Sequence, residues 1–293
     1  MLLEFRTKNY KSFASEAVFS MTKAPKQSGL DYSLLDIKIK KKSIKGLCSS
    51  VVYGPNAAGK TNIIGAMDVL RSIVLRGNIR NSEEKISPNP ASVALELIPN
   101  NKLAEPEPVE FSIDFYENSY RIQYDLSMDL GLFLDEEYRR KIVYEKLTVN
   151  DEIVYSRNGE LEFGNLEVIK DYLSEVTELN TESAIEIARN SLNREELFLT
   201  NGFKLILSQK FAKLIVDWFT NKFMVIYRAN SMQLIKRFAD PQKKTVYVEK
   251  TMDKAAKLFG INSNAVGYVV SDDEPEGKLY SILKDIKNKK MQL

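Results

Sequence analysis

Residues 109–163 carry the clearest pattern in the chain. Val109, Phe111, Ile113 and Phe115 alternate with Glu110, Ser112 and Asp114, and after Glu117-Asn118 the alternation resumes at Tyr120, Ile122, Tyr124, Leu126 and Met128. A period of two with one apolar phase predicts an antiparallel hairpin with one buried face. Ile142–Val149 and Ile153–Tyr155 flank Asn150-Asp151, and Asn158-Gly159 is a strong turn signal before Leu161–Phe163. The N-terminus alternates more loosely: Leu3 and Phe5, then Ala17 and Phe19, predict two short strands joined through Asn9–Ser15. Residues 23–46 are polar and lysine-rich, read as a loop or a strand edge. Elsewhere the period lengthens. Ile63, Ala66, Met67, Leu70 and Val74 fall at helical spacing with Gly77 as a C-cap. Leu166, Ile169, Leu173 and Val176 predict a second helix, and Leu207, Phe211, Leu214, Ile215, Trp218 and Phe219 a longer one. Met252, Ala255, Ala256 and Phe259, closed by Gly260, predict another, and Phe223–Tyr227 is a short apolar run that reads as a strand. Five prolines between 88 and 108 break any long element there.

Composition narrows the chemistry. Of 293 residues, 44% are apolar and 28% charged, enough for a sizeable core. Forty-two basic residues face 40 acidic ones, a net of +2, which excludes a strongly basic nucleic-acid coat but leaves room for a local patch such as Lys38, Lys40, Lys41 and Lys42. There is no histidine and one cysteine, Cys48. That removes Ser-His-Asp triads, Cys-His dyads, His-ligated metals, thiolate zinc sites and a disulfide framework. No run of about 18 apolar residues is present, and MLLEFRTKNYKSF lacks the apolar core of a signal peptide, so a cytoplasmic protein with no membrane segment is expected.

One segment carries chemistry. Gly54-Pro55-Asn56-Ala57-Ala58-Gly59-Lys60-Thr61 fits G-x-x-x-x-G-K-[ST], with the β-prone run Leu47–Tyr53 before it and an amphipathic helix after it. Consecutive N–H groups of Asn56, Ala57, Ala58, Gly59, Lys60 and Thr61 can curl into a nest around an anion. The helix N-terminus adds about half a positive charge there. Gly54 and Gly59 supply backbone freedom and clearance. Lys60 is the expected contact for the β- and γ-phosphates and Thr61 for Mg²⁺, with Asn62 completing the phosphate-binding set. The predicted ligand is a magnesium-bound triphosphate, and the lack of an N-K-x-D guanine reader favours ATP.

G-P-N-A-A-G-K-T-N resembles the P-loop of ABC-type ATPase heads of the SMC and DNA-repair kind. Phe5–Phe13, containing Asn9-Tyr10-Lys11-Ser12-Phe13, is similar to the opening motif of those heads. Tyr120–Tyr124, Tyr144–Leu147 and Leu197–Asn201 resemble bacterial predicted ATPases related to the overcoming-lysogenisation-defect and abortive-infection families. The resemblance implies an α/β P-loop NTPase fold: an ABC-like head with a mixed sheet around the P-loop helix at 1–108, an antiparallel β lobe at 109–163 and a helical region at 164–293. It implies an ATPase of a DNA-associated or phage-defence system that sandwiches ATP between two copies or with a partner protein, with nucleic acid as its usual effector. It makes Lys11 a further nucleotide contact, with Ser12 behind it.

Complete heads also carry a signature segment and an apolar strand ending in Asp-Glu. The nearest match, Val269-Val270-Ser271-Asp272-Asp273-Glu274, is interrupted by Ser271 and followed by Pro275 and Gly277, which reads as an acidic turn. The chain is therefore expected to be the front part of a head, whether truncated, split or degenerate. It would bind Mg·ATP but hydrolyse it poorly without a C-terminal half or partner. A non-hydrolysing ATP-sensing or dimerisation module is the alternative; a small-molecule kinase shares the loop but not the β-rich lobe that follows it.

Overall fold

The computed structural model describes residues 1–24, 29, 31–39, 42–55, 58–80, 97–100, 107–131, 138–175, 177 and 180–225, and the strand backbones 247–248, 263–271, 274–284 and 290–292. The chain divides into two compact units, Met1–Val225 and Ile226–Leu293.

The first unit is built on one seven-stranded antiparallel sheet. Its strands are β1 (Leu2–Lys8), β2 (Ala17–Ser20), β5 (Val109–Glu117), β6 (Tyr120–Asp129), β7 (Lys141–Val149), β8 (Glu152–Asn158) and β9 (Glu160–Phe163), in the order β2-β1-β5-β6-β7-β8-β9. The alternation predicted for 109–128 is realised in the register Val109↔Met128 to Glu117↔Tyr120. The same phase buries Leu3, Phe5 and Thr7 on β1. The N-terminal strands and the 109–163 strands thus share one sheet, where the sequence reading had put them in a mixed-sheet core and a separate lobe. Every pairing among the described strands is antiparallel. A hairpin of β3 (Leu34–Ile39) and β4 (Lys42–Leu47) packs Ile37 and Ile39 on Leu3.

One face of the sheet is covered by helices. Helix α1 (Lys60–Arg76) buries Ile63, Ala66, Met67, Leu70, Ile73 and Val74, the predicted stripe. Complete burial of Leu70 stabilises the unit by about 1.5–3 kcal/mol. Helix α2 (Thr181–Asn190) was not predicted; helix α3 (Gln209–Asn221) was. On α3, Trp218 stacks on Phe115 at 3.9 Å between ring centroids and on Phe223 at 5.0 Å. Phe223–Val225 carries no regular structure, while Ile226 and Tyr227 lie outside the described residues. The predicted second helix is instead a 3₁₀ segment, Leu166–Tyr172, because Ile169 leaves helical geometry at φ −120°, ψ 20°. Leu199–Leu207 is a π-helix, closed by bonds such as Phe203 N–H to Phe198 C=O (2.8 Å).

The opposite face is polar. Arg6, Lys8, Asp114, Arg121, Asp125 and Lys146 line a groove of about 380 Å³, where Arg121 pairs with Asp114 (2.6 Å), Lys146 with Asp125 (2.9 Å), Arg6 with Glu4 (2.6 Å) and Lys8 with Glu110 (3.4 Å).

The second unit is a four-stranded antiparallel sheet, β10 (Tyr247–Val248), β11 (Ser263–Ser271), β12 (Glu274–Lys284) and β13 (Lys290–Gln292), in sequential order. This corrects the helical region expected for 164–293: strands replace it from 263 to 292. The helix read at Met252–Phe259 lies outside the described residues. No described helix is long and apolar enough to cross a membrane.

Candidate functional site

The site forms where α1 begins. Gly59 is its N-cap, in the left-handed region at φ 87°, ψ 6°, a conformation glycine adopts without a Cβ penalty. Its carbonyl accepts from the N–H groups of Asn62 (2.9 Å) and Ile63 (3.3 Å). A glycine offers no side chain to cap the first-turn amides, and no Asp or Glu stands in that turn. The positive end of a 17-residue helix is therefore uncompensated, an arrangement that favours an anion. Just before it, Ala58 N–H closes a turn onto Pro55 C=O at 3.3 Å.

Lys60 is folded back over this turn. Its Nζ donates to the carbonyls of Gly54 (2.8 Å) and Pro55 (2.6 Å). The ammonium thus sits against the loop that the motif assigns to phosphates, held by two neutral acceptors that an anionic oxygen would outcompete. Thr61 is exposed at the same helix start. Asn62 turns away from the loop and donates through Nδ2 to Ser12 Oγ at 2.7 Å. Asn56 and Ala57 lie outside the described residues.

The β1–β2 turn completes the surroundings. A methyl placed on Gly59 would come within 2.9 Å of Ser12 Oγ and 3.1 Å of the Phe13 ring. The structure thus gathers Ser12, Phe13, Gly59, Lys60, Thr61 and Asn62. Lys11 belongs to the same turn; its ammonium lies 5.5 Å from the centre of the Tyr10 ring.

The strand expected to lead into the loop is not formed. Leu47 ends β4, and Cys48–Gly54 carries no regular structure. Val51, Val52 and Tyr53 are 82%, 50% and 90% exposed. Their β propensity is high, but among the described residues no strand pairs with them. The acidic run stands where the turn reading expects it, between two antiparallel strands. Ser271 ends β11 and pairs with Glu274 at the start of β12, so Val269–Ser271 feeds an antiparallel hairpin. Asp272 and Asp273 lie outside the described residues.

The far end of α1 holds, beside the expected cap Gly77, residues that the sequence reading missed. Gly77 caps it at φ 75°, its N–H on Ile73 C=O at 2.8 Å. Its carbonyl accepts from Leu197 N–H (2.9 Å) and Asn201 Nδ2 (3.3 Å), and Ile79 N–H donates to Glu195 C=O (2.9 Å). Segment 193–199 is fixed in turn by a fully buried carboxylate. Glu145 Oε1 accepts from Tyr124 Oη (3.0 Å), Tyr155 Oη (2.9 Å) and Leu199 N–H (2.9 Å), and Oε2 accepts from Phe198 N–H (2.8 Å). Arg157 lies 3.7 Å from Oε2 and donates to the carbonyls of Glu196 (3.0 Å) and Asn193 (2.6 Å). Burial, and after it the Glu145 charge, pushes the Tyr124 and Tyr155 phenols well above their ordinary value. The available signal was phase: Glu145 stands in step with Leu147 and Val149, on the apolar side of its strand.

A family model described as "AAA domain, putative AbiEii toxin, Type IV TA system" matches residues 49–244. The match takes in the glycine loop, α1, β5–β9 and the helices through α3, about two thirds of the chain. No curated protein and no solved structure matches it.

Proposed function

The chain belongs to this family of AAA domains, and from that premise we propose that it is the ATP-binding part of an abortive-infection-type ATPase that needs a partner or further segment for efficient hydrolysis. The observation that carries the reading is the uncapped start of α1 under Lys60. The residues present suit a magnesium triphosphate: first-turn amides without a side-chain cap, a helix end without a carboxylate, and a lysine resting on exchangeable carbonyls. Lys60 would leave Gly54 and Pro55 for the β- and γ-phosphates, and Thr61 would offer its hydroxyl to Mg²⁺. The amides of Gly59 and Lys60 would bind phosphate oxygens. Lys11 is a further contact in this reading. When bound, the metal neutralises charge on the terminal phosphates; what this chain supplies is grip and orientation.

Two observations support the need for a partner. A strand feeding a P-loop is ordinarily buried on both faces of a parallel sheet, yet Val51–Tyr53 lies exposed. The nearest match to an apolar strand ending in Asp-Glu, Val269–Glu274, has Ser271 paired with Glu274 across antiparallel strands, as an acidic turn would. The partner is a second copy or a separate protein closing over the nucleotide, in a phage-defence or toxin–antitoxin setting in keeping with the family description. Nucleic acid as effector rests on the β3–β4 hairpin, where Lys38 is exposed. The hairpin at Ser271–Glu274 equally favours a second reading, an ATP-sensing module that dimerises without turnover.

Calorimetric titration with Mg·ATP tests the proposal. The wild-type chain should bind, and Lys60→Ala should weaken binding roughly 10- to 100-fold, the loss of a charge-assisted contact. Absence of wild-type binding would remove the reading. Normal steady-state hydrolysis by the chain alone would remove the partner requirement.

A further inference from the structure

We propose that Asn9 and Asn100 act together as a clasp that positions Ser12 against the phosphate loop, so that two side chains outside the motif set its affinity for nucleotide. The inference rests on the reading of Gly54–Thr61 as a triphosphate site.

The turn between β1 and β2 is strained. Asn9 at φ 53° and Lys11 at φ 48° both occupy the left-handed region, which asparagine tolerates and lysine does not favour. Such residues persist only where the surroundings over-determine them. Here the surroundings come from segments about 90 to 100 residues away in sequence. The Asn9 side chain is buried; its Oδ1 accepts from Asn100 N–H at 3.0 Å and its Nδ2 donates to Glu107 C=O at 2.5 Å. Asn100, also buried, returns through Nδ2 to the Lys11 carbonyl at 2.7 Å. Lys11 N–H donates to Ile98 C=O at 2.9 Å, and Tyr10 and Phe13 exchange two backbone bonds across the turn.

The tip that this clasp holds meets the start of α1. Ser12 Oγ accepts from Asn62 Nδ2, and Ser12 and Phe13 fill the space beside Gly59. Asn62 directly follows Lys60 and Thr61. A turn free to relax would take Ser12 off Asn62 and leave the first turn of α1 to fray, scattering the amides that an anion needs. A turn fixed by Asn9 and Asn100 presents them already ordered, and preorganisation appears as affinity. Asn9 and Asn100 are positioning residues: they act through Ser12 and Asn62.

The test uses the full chain, Mg²⁺ and a non-hydrolysable ATP analogue, with melting temperature measured without nucleotide. Asn100→Asp keeps the shape and the backbone N–H but removes the donor to Lys11. Asn9→Gly keeps the left-handed backbone accessible but removes every side-chain bond of Asn9. Each should weaken analogue binding about five- to tenfold, and so should Ser12→Ala. The combination of Asn100→Asp with Ser12→Ala should be no weaker than the weaker single variant, because both break the same route. Should Asn100→Asp not fold, Asn9→Gly with Ser12→Ala carries the same test. Folded variants that bind within twofold of wild type would overturn the clasp while leaving the phosphate site intact. Losses that multiply with Ser12→Ala would overturn it too, since they place the effect elsewhere. A wild-type chain that does not bind the analogue would overturn the phosphate site and the clasp with it.

Discussion

At its N-terminus α1 begins on a glycine that offers no cap, with its lysine lying on loop carbonyls and an exposed approach through Val51–Tyr53. At its C-terminus the same helix ends on a glycine whose carbonyl takes two donors, against a segment held by a fully buried carboxylate with four donors. Both ends use a left-handed glycine, at φ 87° and φ 75°. They differ in what satisfies the polar groups around it. Where the protein itself supplies partners, the end is structural. Where it leaves amides and an ammonium with exchangeable partners, the end is available to a ligand. A helix fastened at one end and open at the other can order its open end on binding without disturbing the sheet beneath.

The largest effect should come from the fastened end. Glu145→Gln keeps the volume but turns a donor toward the N–H groups of Phe198 and Leu199, and it leaves Arg157 buried without its carboxylate. Breaking a buried pair on one side costs about 3–5 kcal/mol. For a unit of this size the melting temperature should fall by about 10 °C. Unfolding followed through the single tryptophan, Trp218, would show it. Nucleotide affinity measured below the transition should change less than twofold. A large loss of affinity would mean that the two ends of α1 are coupled rather than independent.

Alkali should act on the same end more mildly. Tyr124 and Tyr155 are both buried on Glu145, and burial first, then that charge, raises their folded pKa well above the ordinary value. A raised folded pKa gives stability that is fully present below the unfolded pKa, near 10, and is lost as pH rises toward the folded value. In that window the folded state holds a proton that the unfolded state has released. Each phenol then costs up to about 1.4 kcal/mol per pH unit, so stability should fall as the pH rises above 10. Denaturant midpoints at pH 9, 10 and 11 would read this, and Tyr124→Phe should roughly halve the slope. A flat profile would show that the phenols do not carry the Glu145 node.

The parts of this architecture that were legible in the sequence were those with local causes. The strict alternation from Val109 to Met128 was realised pair by pair, and the stripe from Ile63 to Val74 and the cap at Gly77 were realised in α1. The phosphate loop was legible because its chemistry is a fixed spacing of glycines, lysine and threonine. What was not legible depended on distant partners. Leu47–Tyr53 has the composition of a buried strand, but only Leu47 lies in one, at the end of β4, and Val51–Tyr53 have no strand neighbour among the described residues. Leu166–Tyr172 has helical spacing, yet Ile169 turns inward out of helical geometry and is buried. Asn9 and Asn100 look like two ordinary loop asparagines until the fold brings them 3.0 Å apart. The strands at 263–292, expected within a helical region, depend on the pairing of Ser263–Ser271 with Glu274–Lys284.

The sharpest comparison is also the smallest in energy: the same substitution at the two glycines. An alanine in the left-handed region costs about 1–2 kcal/mol at either position. At Gly77 the new methyl would also lie 2.7 Å from Thr200 Oγ1, in a part of the structure where neither neighbour can withdraw without loosening segment 193–201. Gly77→Ala should therefore appear as a loss of global stability of about that size, with nucleotide affinity within twofold of wild type. At Gly59 the methyl would meet Ser12 Oγ at 2.9 Å and Phe13 at 3.1 Å. The first turn of α1 has exposed neighbours and can unwind locally, so the strain is relieved by fraying rather than by global unfolding. The ligand must then restore the turn, and the same 1–2 kcal/mol is read as a loss of Mg·ATP affinity of roughly tenfold, with the melting temperature almost unmoved. If Gly59→Ala lowered global stability as Gly77→Ala does and left affinity intact, the two ends would be equivalent, and the open end would have no claim to a ligand.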